Sequence, residues 1–270
     1  MLDLFETRDV ALLRGLFERD RVGGAYLLGD LEAPFFDKGR WLVATGPRGG
    51  AVVLVFAGLA VPTILSFGDL AGVAAIVAAL VRPGAEAGGL HERDCYLKIP
   101  PEHEVAFAPR FDIVERDVMK IMALDRRDYR AADLRHDVRR LDTTYPIDDI
   151  LAVYRSYPGH FFDPSQLASG LYFGSFEGAR LVAVAGTHVW SPAGRVAAVG
   201  NIVTASAARG KGHAAACTSA VINELYARDC ETIALHVAAA NAPAQACYRR
   251  LGFHEHGPVL QLRARAGPRG

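Results

Sequence analysis

The residues best suited to chemistry are Arg209, Gly210, Lys211 and Gly212, two cations and two glycines at the end of an apolar run from Arg195 to Thr204. A long helical pattern starts directly after them. A strand that ends in a glycine-bearing turn at a helix N-terminus lets several backbone N–H groups converge, and the helix dipole adds positive potential. The ligand that matches is a phosphate or pyrophosphate. Glycine suits the turn because a Cβ would block its dihedrals or the close approach of the ligand.

Three phosphate-binding patterns compete for this stretch. The P-loop requires Lys then Ser or Thr after its last glycine, and Gly212 is followed by His213, so it fails. The dinucleotide pattern GxGxx[GA] matches Gly210, Gly212 and Ala215, but five residues, Ala205 to Arg209, separate the strand from the first glycine. That pattern also wants an acid at the end of the next strand to hold a ribose, and Val237 to Ala240 supply none. The third reading, a coenzyme A loop, depends on what lies downstream.

The elements that must position these residues follow from periodicity. Helices are expected over Asp9–Arg21 and Ala25–Leu31, strands over Trp41–Thr45, Ala51–Ala57 and Val61–Phe67, and a helix capped by Asp69 over Leu70–Val81. A strand at Asp94–Ile99, a short helix Pro101–Ala108 and a strand Ile113–Leu124 complete the first half. The charged stretch Asp125–Asp137 marks the boundary between domains 1–130 and 131–270. Beyond it come a short strand Val138–Leu141, a helix Ile147–Tyr154, and a hairpin of Leu171–Phe176 with Ala179–Trp190 turning at Glu177-Gly178. The strand ending at Thr204 and its helix are followed by a strand Ile233–Val237. A short helix capped by Asn241 and closed by Gly252 and a strand Phe253–Leu262 end the chain. The order strand, helix, strand, short helix, strand fits Val61–Leu124 and again Val196–Leu262, which suggests two copies of one fold. Only F-G-D-L stands at the first copy's strand-to-helix join, so that copy is expected to lack the anion site.

The run R-G-K-G-H-A resembles the [RQ]xxGx[GA] pyrophosphate loop of the GCN5-related N-acetyltransferases, the GNAT superfamily. Leu235 to Phe253, with Asn241, Ala244, Tyr248 and Gly252-Phe253, resembles that family's L-x-V-x-x-x-N-x-x-A-x-x-x-Y-x-x-x-G-F segment. The likeness covers about Tyr145 to Leu262 and is greatest to the two-domain branch with a degenerate N-terminal copy; the first half matches by layout only. The fold it implies is a mixed α/β (α+β) sheet in two tandem GNAT-like domains, the N-terminal one without a coenzyme loop.

The resemblance further implies that two parallel strands, Val196–Thr204 and Ile233–Val237, splay apart around acetyl-coenzyme A. Ile202, Val203 and Thr204 would hydrogen-bond the pantetheine arm, and the N–H groups of Arg209, Gly210, Lys211, Gly212, His213 and Ala214 would cradle the pyrophosphate. The side chains of Arg209 and Lys211 are either ligand-side or a solvated cation pair, and His213 is expected on the ligand side or exposed. Asn241 would touch the arm as well as cap its helix, Ala244 would admit the coenzyme, and the Tyr248 hydroxyl would stand near the thioester sulfur. An amine would then attack the thioester directly in a ternary complex, with backbone N–H near Val203 facing the oxyanion. Proton transfer from a phenol of pKa about 10 to a thiolate whose thiol has pKa about 8.5 is uphill by about 2 kcal/mol, so Tyr248 suits a hydrogen-bond role with late proton movement. The strand V-A-A-V-G-N-I-V-T has no carboxylate to act as base, and Asn201 cannot be one. His236, twelve residues before Tyr248, is a candidate base, with a solvent-facing or core histidine as the bland alternative; His188 is a second. Tyr154, Tyr157, His160, Phe161 and Phe162 either line an acceptor pocket or plug an interface.

Composition bounds the rest. Lys plus Arg and Asp plus Glu are 30 each, so no net field recruits nucleic acid or an anionic membrane. The four scattered cysteines lack CxxC spacing and the nine histidines form no ligand cluster, so no metal is expected and the compartment is read as a reducing cytoplasm. No stretch reads as a membrane span. The expected activity is N-acetyl transfer to a small-molecule or peptide amine, by a monomer or homodimer. The alternative is a non-catalytic acyl-coenzyme A sensor or interaction protein.

Overall fold

The computed structural model describes residues 2–47, 49–58, 61–81, 94–132, 135–157 and 160–267. The chain divides into two compact units, Met1–Ile121 with Gly257–Gly270, and Met122–His256.

In the N-terminal unit β1 (Asp3–Glu6) leads into α1 (Val10–Phe17) and α2 (Ala25–Asp30). The strands β2 (Gly39–Gly46), β3 (Gly49–Phe56) and β4 (Thr63–Gly68) form antiparallel pairs in sequence order. Then α3 (Leu70–Leu80) crosses over to β5 (Asp94–Ile99), which runs parallel to β4. The Asp69 carboxylate accepts the Gly72 N–H and starts α3 as its sequence predicts. Val73, Ile76, Val77 and Leu80 recur at helical spacing, which puts them on one buried stripe packed with strand residues Val53, Val55, Ile64, Leu97 and Ile99. The short helix α4 (Glu104–Phe107) precedes β6 (Phe111–Leu124), whose last residues, from Met122 on, belong to the C-terminal unit.

In the C-terminal unit β7 (Asp137–Arg140) is followed by α5 (Ile147–Tyr154), then by the hairpin of β8 (Phe173–Glu177) and β9 (Arg180–Ser191) turning at Gly178, where φ is +62°. β10 (Val196–Thr204) is antiparallel to β9, and α6 (His213–Ala227) crosses over to β11 (Thr232–Ala238), parallel to β10. The next helix, α7 (Ala242–Arg250), is capped by the Asn241 side chain on the Ala244 N–H. It ends with Gly252 at φ +102°: Gly252 N–H bonds Arg249 O and Phe253 N–H bonds Tyr248 O, the paired bonds of a left-handed helix stop. Cys217, Val221, Ile222 and Leu225 of α6 pack on Ala183, Ala185, Ala197, Val199, Ile233 and Leu235.

In chain order, strand, crossover helix, parallel strand, short helix, strand occurs twice, β4 to β6 and β10 to β12, as the internal repeat predicts. The last strand departs from expectation. β12 (His254–Ala266) was expected to finish the second copy, but Leu260–Arg265 pair antiparallel with β5, and Leu260, Leu262 and Ala264 are buried in the core of the N-terminal unit. Each buried leucine there contributes roughly 1.5–3 kcal/mol to that core. All four cysteines are free thiols. No helix among the described residues is long and apolar enough to cross a membrane.

Candidate active site

Two parallel strands that stop pairing define the site. β10 and β11 are in register only at Val196, Ala197 and Ala198. Beyond Ala198 the β11-facing edge of β10 is unpaired with it, while Val203 and Thr204 still pair with β9. Two register shifts against β9 begin where the departure does, one between Ala198 and Val199 and one between Gly200 and Val203. An extra residue bends a strand and re-aims its backbone groups. His188 is the extra residue of β9 at the first shift, because Val199 pairs with Thr187 and Ala198 with Val189. At the second, Asn201 and Ile202 lie between the pairs Gly200–Gly186 and Val203–Val184, and Asn201 has φ +52°.

The loop after β10 has the geometry an anion needs. Gly210 and Gly212 have φ of +78° and +95°, dihedrals that side chains disfavour. Gly212 is the N-cap of α6, and among the described residues no side chain caps that helix. The first-turn N–H groups, including those of His213 and Ala214, are thus the donors a helix leaves without intrahelical partners. The Thr204 hydroxyl, at the head of the loop, is buried without a partner among the described residues. A diphosphate fits this chemistry, since backbone donors and the positive end of a 15-residue helix converge at the same turn.

The loop's side chains lie elsewhere than expected. His213 is buried at 3% exposure: its Nδ1 lies 2.9 Å from Ser175 Oγ, its Nε2 3.3 Å from Glu177 Oε1, and its ring 4.3 Å from that of His136. The expectation of a ligand-side or exposed His213 side chain is corrected, because strand β8 offers it a polar seat; only its N–H remains at the loop. Lys211 Nζ bonds Glu177 Oε1 at 2.9 Å, and Arg209 turns back onto the carbonyls of Thr204 and Ser156 at 3.3 and 3.4 Å. Lys211, and then His213, hold the Glu177 carboxyl below the usual range. Sequence reading took Glu177 only as a turn residue, since the pairing joins positions 34 apart.

Tyr248 stands on α7 one turn after Ala244 and is buried in the cluster against which Ile202 and Ala244 pack. Its ring meets Phe253 edge-on at 5.9 Å, and among the described residues its hydroxyl has no hydrogen-bond partner. Burial pushes the phenol well up from its ordinary value, with smaller contributions from Cys247 and Tyr157. Gln245, which sequence reading missed, is buried beside it and donates to the carbonyls of Ala238 and Ala239 at 3.1 and 2.9 Å, closing the loop between β11 and α7.

His236 is half-buried on β11. Ile233, Leu235 and Val237 face the α6 core, so strand alternation puts His236 on the opposite face. The His188 ring lies over Gly200, where a Cβ would fall 2.1 Å from it. Of the aromatic cluster, Tyr154 and Phe162 are core residues stacked at 4.9 Å, and Tyr157 is exposed. Among the described residues no group of three His, Cys, Asp or Glu could hold a metal ion.

Residues 123–253 match the acetyltransferase (GNAT) family. The chain carries a GNAT domain. Its fold is shared by solved structures of low sequence identity. A GCN5-related N-acetyltransferase from Kribbella flavida superposes with a TM-score of 0.62 at 17% identity, covering 93% of this chain and 95% of that one. A tandem GNAT protein from the clavulanic acid biosynthesis pathway gives 0.58 at 16% identity with 100% of both chains covered. A Drosophila protein gives 0.68 at 15% identity, covering 96% and 97%. No curated protein matches the chain.

Proposed function

We propose that the C-terminal unit transfers the acetyl group of acetyl-coenzyme A to an amine of a small molecule or peptide. The observation that carries this reading is the parting of β10 from β11 after Ala198, leading to the uncapped start of α6 at Gly212. The N–H groups of Arg209 to Ala214 bind the diphosphate, and the unpaired edge of Ile202, Val203 and Thr204 binds the arm as an added strand would. Ala244 leaves room beside the arm, and Asn241 holds the start of α7. Bound acetyl-coenzyme A supplies an activated acetyl thioester. Backbone N–H near Val203 donates to the thioester oxygen, where negative charge develops on attack.

Tyr248 keeps its proton at neutral pH and donates a hydrogen bond to the departing sulfur. Its raised pKa makes full proton transfer less favourable than for an ordinary phenol, so its proton follows rather than leads bond cleavage. His236 takes the proton of the attacking amine, directly or through a water, with His188 as the second candidate.

Release of free thiol from acetyl-coenzyme A with a panel of amines tests the activity. Coenzyme binding without thiol release from any amine would instead favour an acyl-coenzyme A sensor. Given a turning-over amine, the rate should rise through about pH 6.5 if a histidine is the base. His236→Gln should lose that acid limb, and its retention would remove His236 from the role.

A further inference from the structure

The second bulge of β10 is held by a buried polar network. Asn201 is only 8% exposed. Its Nδ2 donates to Tyr172 Oη at 2.8 Å and to Gln166 Oε1 at 3.0 Å. The Tyr154 hydroxyl donates to the Asn201 carbonyl at 2.7 Å. The Tyr172 hydroxyl lies 2.9 Å from Gln166 Oε1 and 3.1 Å from the Thr187 carbonyl, either of which can take its proton. Gln166 Oε1 also accepts the Asp163 N–H at 3.0 Å. Tyr154 and Tyr172 are fully buried, and the Tyr172 ring fills the space over Gly186, the residue paired with Gly200.

Position 201 makes two demands at once. The left-handed dihedral is one that glycine, asparagine and aspartate accept most readily. The side chain must also donate twice, to a phenol oxygen and to an amide oxygen. Glycine meets the first demand only. Aspartate meets the first and fails the second, because a carboxylate only accepts. Asparagine alone of these three meets both.

We propose that Asn201 is a positioning residue: its amide, through Tyr172 and Gln166, locks the bulge in the one form that aims the backbone of Ile202 into the gap between β10 and β11, while Val203 stays paired with β9. This rests on the acetyltransferase reading for the ligand received there, but the locking of the bulge does not. Asn201→Gly keeps the dihedral and removes the lock. Tyr172→Phe keeps Asn201 and its dihedral and removes one of its two acceptors, an independent break of the lock should the first variant fold poorly.

The test has two readouts on the full chain. Amide hydrogen exchange at Val203 and Ala205, which are held on β9, should without ligand speed up about tenfold or more in both Asn201→Gly and Tyr172→Phe, since each removes two hydrogen bonds of the network. Exchange at Leu235 on β11 should stay unchanged in both. Acetyl-coenzyme A affinity, measured by calorimetry, should weaken in both variants. Wild-type exchange rates at Val203 and Ala205 in both variants would overturn the lock. Faster exchange with undiminished affinity, beside a wild type that binds, would overturn the aiming of the backbone at the ligand. A wild type that binds no coenzyme would overturn the acetyltransferase reading and the ligand half of this one, while the exchange data still decide the lock.

Discussion

The joins Gly68-Asp69 and Arg209–His213 occupy the same place in two copies of one topology and reach opposite chemical ends. At the N-terminal join Gly68 has φ +97°, and a Cβ there would lie 2.2 Å from the Gly50 carbonyl. The Asp69 carboxylate then sits on the first turn of α3, and His103 Nε2 reaches the Gly68 carbonyl at 3.1 Å. The helix's free donors are thus met by the chain's own anion. The neighbouring hollow, about 460 Å³, is lined by Asp69, Leu70, Ala71, Ala74, Val105 and Ala106, apolar apart from that carboxylate. At the C-terminal join Gly212 leaves the donors of α6 open. The comparison teaches that the crossover alone does not make an anion site. The residue at the helix cap decides whether the site is kept for a ligand or closed by the protein.

The contrast extends to the strand after each helix. Lys98 lies between the inward residues Leu97 and Ile99 of β5, as His236 lies between Leu235 and Val237 of β11. Lys98 is enclosed with Asp30 and has its Nζ 4.7 Å from the Tyr26 ring. Burial pushes Lys98 down to about 8 and Asp30 up to about 7, each opposed by the charge of the other. The place that holds a histidine in one copy holds, in the other, a lysine that shares its field with a buried carboxylate. The largest expected effect follows: Lys98→Met removes the charge that favours ionised Asp30, so the loss of stability in urea unfolding should exceed that of the variants below and grow as pH rises above about 7. Asp30→Asn with Lys98→Met should recover most of that. Equal losses in the single and double variants would mean the two groups do not act as a pair.

Next in size is an exchange of cap chemistry. Gly212→Asp places a carboxylate at the start of α6, in a backbone conformation that disfavours any side chain and with its Cβ 3.2 Å from His136 Nε2. Coenzyme affinity should fall about a hundredfold, roughly 2.7 kcal/mol by calorimetry. Asp69→Ala should cost about 1 kcal/mol of stability and create no coenzyme site. Binding unaffected by Gly212→Asp would break the comparison outright.

The smallest effect is a pH slope. Burial lowers the His103 pKa despite its bond to the Gly68 carbonyl. With the folded pKa depressed, the unfolded chain binds more protons below about pH 6.5, so stability is full above that value and declines as pH falls toward the folded pKa. His103→Gln should flatten that part of the stability curve. An unchanged slope would show that His103 does not titrate with folding.

Much of this was legible in residue patterns, and the limits have physical reasons. Helical spacing placed α3 and α6, Asp69 and Asn241 announced their caps, and Gly252 announced its helix stop. Those are local signals, read within one or two turns. The bulges were not legible: a left-handed Asn201 leaves the apolar alternation of β10 intact in sequence, and its partners Tyr154, Gln166 and Tyr172 lie 29 to 47 positions away. The inward turn of His213 was hidden for the same reason, since a helix start reads identically whether its first side chain faces a ligand or Ser175. The short β1 gave too few residues for a period. The partner of β12 was beyond reach because a strand's sequence specifies which face is buried but not which edge it joins.

That last pairing has a consequence for anyone dissecting the chain. Severing it at one peptide bond near position 121 would not release two whole pieces. The front piece would lose Gly257–Gly270, and with it the strand alongside β5 and the leucines that close its interior. It would carry a raw, sticky margin. The N-terminal unit is therefore finished only after the segment that carries Leu260–Arg265 has been translated.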